Sequence, residues 1–186
     1  MASDREYTYD WKDTSSDGFF WQERINDKLR LVYLESHVLD GKNTDGDIDT
    51  SAGFLVEVKW ESNSALSKRV SIEVSQNIHE DGTFQIKETI PTALSLTKSR
   101  YYAHCDTDGL VIWTKVDTLR KYIERYKDRL DKQWDIKLRQ GDGRYTYFNN
   151  YLIYLNEFKG MQGLLSFSKY CYYDEIDADF IKKWII

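Results

Sequence analysis

The run Gly53-Phe54-Leu55-Val56-Glu57-Val58-Lys59-Trp60 constrains the fold more than any other stretch. Side chains on a strand alternate between the two faces of a sheet. Phe54, Val56, Val58 and Trp60 therefore share one apolar face, while Leu55, Glu57 and Lys59 share the other. The segment reads as a buried strand, yet it carries a carboxylate and an ammonium at alternate positions. Just upstream lies an acidic turn, Asp45-Gly46-Asp47-Ile48-Asp49. An acidic turn leading into a strand with Glu-x-Lys is the layout needed to hold a divalent cation beside a scissile phosphate.

At 186 residues the chain is read as one domain, 1–186, large enough for a sizeable core. Residues 1–16 read as a polar lead-in. No apolar run approaches a membrane span, and the acidic start, Met1 to Tyr9, lacks a secretory pattern. Two cysteines, Cys105 and Cys171, are too few for a disulfide framework. A cytoplasmic setting is therefore expected, the host cytoplasm if the chain is of viral origin. His37, His79 and His104 show no metal-ligand spacing, so any metal should be a hard one held by oxygen. Net charge is −5, unlike a protein that coats nucleic acid. The charge is unevenly placed, however. Residues 1–50 hold twelve acids and six bases, and residues 115–144 hold ten bases and six acids. Such polarity suits an enzyme acting on a polyanion; ordinary surface variation accounts for it equally well.

Along the chain, Phe19 to about Arg30 reads as a helix capped by Asp17, with Ile25 and Leu29 spaced at i, i+4. Leu31 to Leu34 either continues it or starts a strand. His37 to Gly53, rich in Gly and Asp, reads as turns. Val70 to Ser75 alternates as a half-buried strand should, and is expected to neighbour the Phe54 strand. Gln76 to Thr89 reads as irregular, with a turn at Asp81-Gly82. Tyr101 to His104 and Leu110 to Trp113 read as a hairpin. Val116, Leu119, Ile123, Tyr126, Leu130 and Trp134 recur at three- and four-residue steps, which predicts a helix over about 117–138. Tyr145 to Phe148 and Tyr151 to Leu155 read as two short strands.

Phosphodiester hydrolysis needs an activated water, a metal to offset phosphoryl charge and a route for the leaving oxygen. Two carboxylates on adjacent segments can hold Mg²⁺. A lysine on the same face can orient the water and favour charge in the transition state. Glu57 and Lys59 meet the strand geometry, and a short hairpin can return Asp47 or Asp49 beside Glu57. If the Val70 strand pairs with the Phe54 strand, Glu73 falls on the Glu57/Lys59 face as an additional acid.

An acidic residue, a short gap and Glu-x-Lys in an apolar strand resembles the PD-(D/E)xK nuclease superfamily, best over Asp47 to Lys59. A further pattern is similar to small phage-encoded nucleases of that superfamily: Ile72-Glu73-Val74, Thr97-Lys98-Ser99-Arg100-Tyr101-Tyr102 and Leu119-Arg120-Lys121-Tyr122-Ile123. The resemblance implies an α/β (α+β) restriction-endonuclease-like core, a mixed central sheet flanked by helices. It implies Mg²⁺, with Mn²⁺ as substitute, DNA as substrate and in some members a homodimer. Asp49 or Asp47 takes the place of the superfamily's first aspartate, Glu57 its second acid and Lys59 its lysine. Glu23 stands where members place an accessory acid in the first helix. Lys98 and Arg100, with Lys121, Arg125, Arg129 and Lys132 near one face of the expected long helix, are candidates for phosphate contact.

Each reading has a structural alternative. Glu57 and Lys59 could form a solvated strand face or cross-strand pairs with Glu73 and Lys68. The aspartates could serve Asx-turns. A calcium EF-hand is excluded, because the sixth loop position is Thr50 and the twelfth Val56. The basic helix face could be solvated, and the aromatic residues could be core. Three functions follow: a Mg²⁺-dependent nuclease, a catalytically inactive nucleic-acid- or protein-binding module on the same fold, or an unrelated α+β interaction protein.

Overall fold

In the computed structural model, which describes residues 11–39, 45–61, 68–79, 85–138, 145–160 and 169–185, the Glu-x-Lys run is a strand inside a mixed sheet. The first half of the chain forms helix α1 (Trp11–Arg30) and strands β1 (His37–Val38), β2 (Ile48–Asp49), β3 (Leu55–Glu61), β4 (Arg69–His79) and β5 (Ile86–Pro91). Then come β6 (Tyr101–Asp106), β7 (Leu110–Lys115), α2 (Val116–Tyr126), β8 (Asp131–Leu138) and β9 (Tyr145–Tyr154). The described chain closes with α3 (Leu155–Gly160), β10 (Lys169–Tyr172) and α4 (Ala178–Trp184).

The central sheet has the order β1-β2-β3-β6-β7-β10. Within it β3 and β6 run parallel, with Glu57 opposite Tyr102 and Lys59 opposite His104; the other pairings are antiparallel. A second sheet, β5-β4-β9-β8, is antiparallel throughout. The protein is thus a mixed α+β fold with helices packed on a mixed central sheet.

Two buried clusters lie on opposite faces of that sheet. Phe54, just before β3, and Val56 and Val58 of β3 pack with Tyr101, Ala103 and Trp113 under α1 and α4, which contribute Trp21, Ile25, Leu29 and Ile181. Trp21, Ile25 and Leu29 recur every four residues, so one stripe of α1 faces the sheet. On the other face Tyr102, Leu110 and Ile112 meet Val116 and Leu119 of α2, together with Val70, Ile72 and Ile153 of the second sheet.

Local chemistry fixes the turns that matter. β2 passes into β3 through Thr50–Gly53, where the Thr50 hydroxyl donates to the Phe54 carbonyl at 2.8 Å and Gly53 takes φ +76°. The β6–β7 hairpin closes on Asp106, whose Oδ1 accepts from the backbone N–H groups of Asp108 and Leu110 at 2.9 Å each.

Several expectations are corrected. The helix expected over 117–138 ends at Tyr126, and Asp131–Leu138 is a strand that carries Trp134. Trp134, Ile136 and Leu138 alternate with Gln133, Asp135 and Lys137, a period of two that takes over after the charged turn Lys127-Asp128-Arg129. Consequently Arg129 lies in a turn and Lys132 on β8, so neither shares a helix face with Lys121 and Arg125.

The strand holding Val70 does not pair with β3. It pairs with β5 and β9, and its apolar residues join the cluster on the Glu57 side rather than the Phe54 side. Helix α1 begins at Trp11, inside the expected polar lead-in, so Asp17 is helical rather than a cap. Leu31 to Leu34 forms turns. The turn-rich segment His37–Gly53 includes β1 and β2, and β4 and β5 occupy much of 76–89, whose Asp81-Gly82 turn falls outside the described residues. Residues 145–154 form one strand instead of two.

Candidate active site at the open edge of β3

β2 is two residues long, and its pairing with β3 covers only Leu55 and Val56. Beyond Val56 that edge of β3 has no β2 backbone beside it. The Asp47 side chain fills the gap, its Oδ2 accepting the Val58 N–H at 2.6 Å. The other carboxylate oxygen accepts from the Gln22 amide on α1 at 2.9 Å. A strand hydrogen bond is thus replaced by one to a carboxylate, which plants a negative charge beside Glu57. The chain reaches this position through Gly46. A Cβ there would collide with the Ser99 hydroxyl oxygen and come within 3.0 Å of the Leu55 Cβ.

Glu57 is buried, at 6% exposure. Its Oε1 lies 2.7 Å from the Lys59 ammonium and its Oε2 accepts from the Thr97 hydroxyl at 2.8 Å. Burial opposes the charge on Lys59, but the carboxylates of Glu57, Asp47 and Glu73 outweigh it and hold the lysine above its usual pKa. Asp47 goes the other way. Burial pushes its carboxyl up to about 6; the Lys59 charge and the Val58 N–H oppose this, and the Glu57 charge adds to it.

The register of the sheet brings further groups to the same face. Tyr102 stands opposite Glu57 and His104 opposite Lys59. The buried Tyr102 hydroxyl is held well above its usual range, first by burial and then by the charges of Glu57, Glu73, Asp47 and Glu61. Burial lowers His104 to about 3, so it is neutral. Its Nε2 lies 3.4 Å from a Glu61 carboxylate oxygen.

Thr97 sits on the segment that leads into β6. Its carbonyl accepts from Arg120 of α2, which also donates to the Leu94 carbonyl at 2.8 Å.

The residues singled out in the sequence divide clearly. Asp47, Glu57 and Lys59 come together, and Glu73 is near enough for its charge to act on Lys59 and Tyr102. Asp49 lies on β2 opposite Leu55 and His37, and among the described residues no hydrogen bond or ion pair joins it to Glu57 or Lys59. Glu23 likewise makes no such bond to the site; its neighbour Gln22 does. Lys98 pairs with Asp45 at 2.9 Å, and the Arg100 guanidinium lies over the Phe54 and Tyr101 rings. Lys121 and Arg125 are exposed on α2. Gln22, Tyr102, His104 and Arg120 escaped sequence reasoning as site residues, because strand register and a helix crossing bring them in. Thr97, Tyr102 and Arg120 stood inside quoted patterns without a role.

The donors that face the site are oxygens. Asp47 is half-buried, and burial is the main reason its carboxyl is raised to about 6, with Lys59 opposing and Glu57 adding to the rise; a hard cation beside the two carboxylates would favour their charged forms. Among the described residues no three His, Cys, Asp or Glu side chains group as a full ligand set. Mg²⁺ typically uses one or two carboxylates and keeps several waters. Asp47 and Glu57 fit that pattern.

A separate cleft of about 490 Å³ is lined by residues that include Phe20, Trp21, Arg24, Trp60 and Tyr172, and none of Asp47, Glu57 or Lys59 lines it. No described helix is long and apolar enough to cross a membrane. Neither a protein-family model, nor a curated protein, nor a solved structure matches the chain.

Proposed function

We propose that the chain is a Mg²⁺-dependent nuclease of the PD-(D/E)xK type, with a restriction-endonuclease-like core, that hydrolyses phosphodiester bonds in DNA. The observation that carries this reading is the placement of Asp47. Its carboxylate takes the place of a strand partner on β3 where the pairing with β2 ends, next to the Glu57–Lys59 pair. A solvated strand face would not bury Glu57 or raise the pKa of Asp47.

Asp47 and Glu57 would hold Mg²⁺, or Mn²⁺ in its place. The bound metal supplies charge neutralisation and Lewis-acid polarisation at the phosphoryl group. Lys59 keeps its proton, because three carboxylates favour its charge. From the Glu57 side it donates to the attacking water and offsets charge as it develops on phosphate oxygens. Gln22 and the Val58 N–H fix the Asp47 carboxylate, so its position is set before substrate arrives. Exposed Lys121 and Arg125 would meet phosphates farther along the strand.

The test is incubation with supercoiled, linear and branched DNA and with RNA, with Mg²⁺ or Mn²⁺ and with EDTA. Metal-dependent cleavage lost in Lys59→Ala supports the reading. Nucleic-acid binding with no metal-dependent cleavage of any form would favour an inactive binding module on this fold.

A further inference from the structure

Glu57 is held at both ends. One carboxylate oxygen faces the Lys59 ammonium at 2.7 Å and the other faces the Thr97 hydroxyl at 2.8 Å. Thr97 is itself 2% exposed and lies outside every helix and strand. Its one hydroxyl proton is shared with the Asp45 carbonyl, 3.0 Å away, and its oxygen accepts from the Ser99 N–H at 3.2 Å; the rest of what fixes Thr97 comes from elsewhere in the fold. Arg120 reaches from α2 and donates through Nε to the Leu94 carbonyl and through Nη2 to the Thr97 carbonyl. A planar guanidinium can bridge two carbonyls in this way, whereas a lysine ammonium is a single point charge on a flexible stem. The same segment is tied to the loop carrying Asp47, since the Lys98 N–H donates to the Asp45 carbonyl at 2.8 Å.

We propose that Thr97 and Arg120 are positioning residues for Glu57: Arg120 fixes the segment, and the Thr97 hydroxyl fixes one carboxylate oxygen so that the other is presented to Lys59 and the metal. This rests on the reading of Asp47 and Glu57 as metal ligands. Groups that orient a metal-binding carboxylate typically change metal affinity by about 10- to 100-fold when removed. Arg120 is partly exposed, with 37% of its side chain accessible, so its replacement does not open the core.

The experiment compares wild type with Thr97→Val, which keeps the shape and loses the hydroxyl, with Thr97→Ser, which keeps the hydroxyl, and with Arg120→Lys. Mn²⁺ affinity is measured by titration calorimetry, and metal-free crystal structures of each variant report the Glu57 conformation. Thr97→Val is expected to weaken Mn²⁺ binding about tenfold or more. In its metal-free structure the Glu57 carboxylate leaves its position beside Lys59. Thr97→Ser restores both, and Arg120→Lys weakens binding with a displaced Thr97 carbonyl. Unchanged affinity and an unchanged Glu57 in Thr97→Val overturn the proposal. Equal losses in Thr97→Val and Thr97→Ser overturn it too, since they reduce Thr97 to packing. If wild type binds no Mn²⁺ while Glu57 still moves in Thr97→Val, the metal reading fails and the positioning role stands.

Discussion

The two faces of β3 are both covered, by opposite means. Phe54, Val56 and Val58 are covered by α1 and α4 in a purely apolar cluster. One residue along in each case, Glu57 is enclosed by the Lys59 ammonium and the Thr97 hydroxyl, while the Lys59 side chain stays 38% accessible. The first arrangement gains free energy from leaving water, roughly 25 cal/mol per Å² of apolar surface. The second gives up hydration and recovers it only through its partners. One strand thus carries a stabilising face and a costly one, and the costly face is where the chemistry is proposed to lie.

Substitutions on the two faces should separate activity from stability. The largest effect belongs to the polar face. Lys59→Ala should lower cleavage by about 10³-fold or more, roughly 4 kcal/mol in the barrier, while nucleic-acid binding persists. Glu57→Ala should remove cleavage and Mn²⁺ binding together. Full cleavage by Lys59→Ala would place the catalytic centre elsewhere. On the apolar face the order reverses. Trp113, fully buried in the cluster behind β3, should cost about 3–5 kcal/mol of stability on replacement by Ala, read from denaturant midpoints. Turnover per folded molecule should be nearly unchanged. A Trp113→Ala protein that stays folded but loses turnover would dissolve the contrast.

Acid should expose the polar face alone. His104, lowered from 6.5 to about 3, contributes stability that is present above pH 6.5 and lost as pH falls toward 3. The slope is at most about 1.4 kcal/mol per pH unit. Asp47, raised from 3.8 to about 6, has the opposite sign: the folded state holds the extra proton, so its contribution falls as pH rises from about 4 to 6. Over pH 4–6 the two contributions oppose each other, so His104→Gln should make stability fall as pH rises and Asp47→Asn should make it rise more steeply than in wild type, read from melting temperatures. Mn²⁺ competes with the proton on Asp47, so affinity should drop up to tenfold per unit below about pH 6. An affinity independent of pH from 5 to 7 would remove Asp47 from the ligand set.

Two smaller effects sharpen the edges of the comparison. Gly46→Ala should push the Asp47 loop away from Leu55 and Ser99 and reduce cleavage about tenfold, with melting temperature changed by only a few degrees. Charge reversal at Arg125, with or without Arg129, should weaken DNA binding several-fold and lower its salt slope by about one unit per lost phosphate contact. An unchanged salt slope would show that α2 faces away from the substrate.

The sequence displayed one face of this contrast better than the other. The alternation of Phe54 to Trp60 is local and strong, and Asp47, Glu57 and Lys59 lie within one short hairpin, so their meeting depends only on nearby residues. The choice between Asp47 and Asp49 depends on where β2 stops, and nothing local sets that. Tyr102 and His104 arrive through a parallel register that skips residues 62–100, and Arg120 arrives through a helix crossing. Such positions have no signature in spacing. The end of α2 was missed for another reason: Trp134 satisfies the helical step from Leu130 and the strand alternation with Ile136 and Leu138 alike.

The parallel pairing of β3 with β6 also bears on the order of assembly. The β6–β7 hairpin joins neighbours in sequence and can close in microseconds, as hairpins do. β3 can join it only after the intervening β4–β5 excursion has been gathered in, and contacts so distant along the chain are slow to form. Thr97, Tyr102 and His104 all travel with β6, whereas Asp47, Glu57 and Lys59 travel with β3. The proposed site is thus divided between two halves that dock late. A chain in which β6 has not docked keeps the acids and the lysine but lacks the Thr97 hydroxyl against Glu57, and the proposed activity is expected only once the whole sheet has closed.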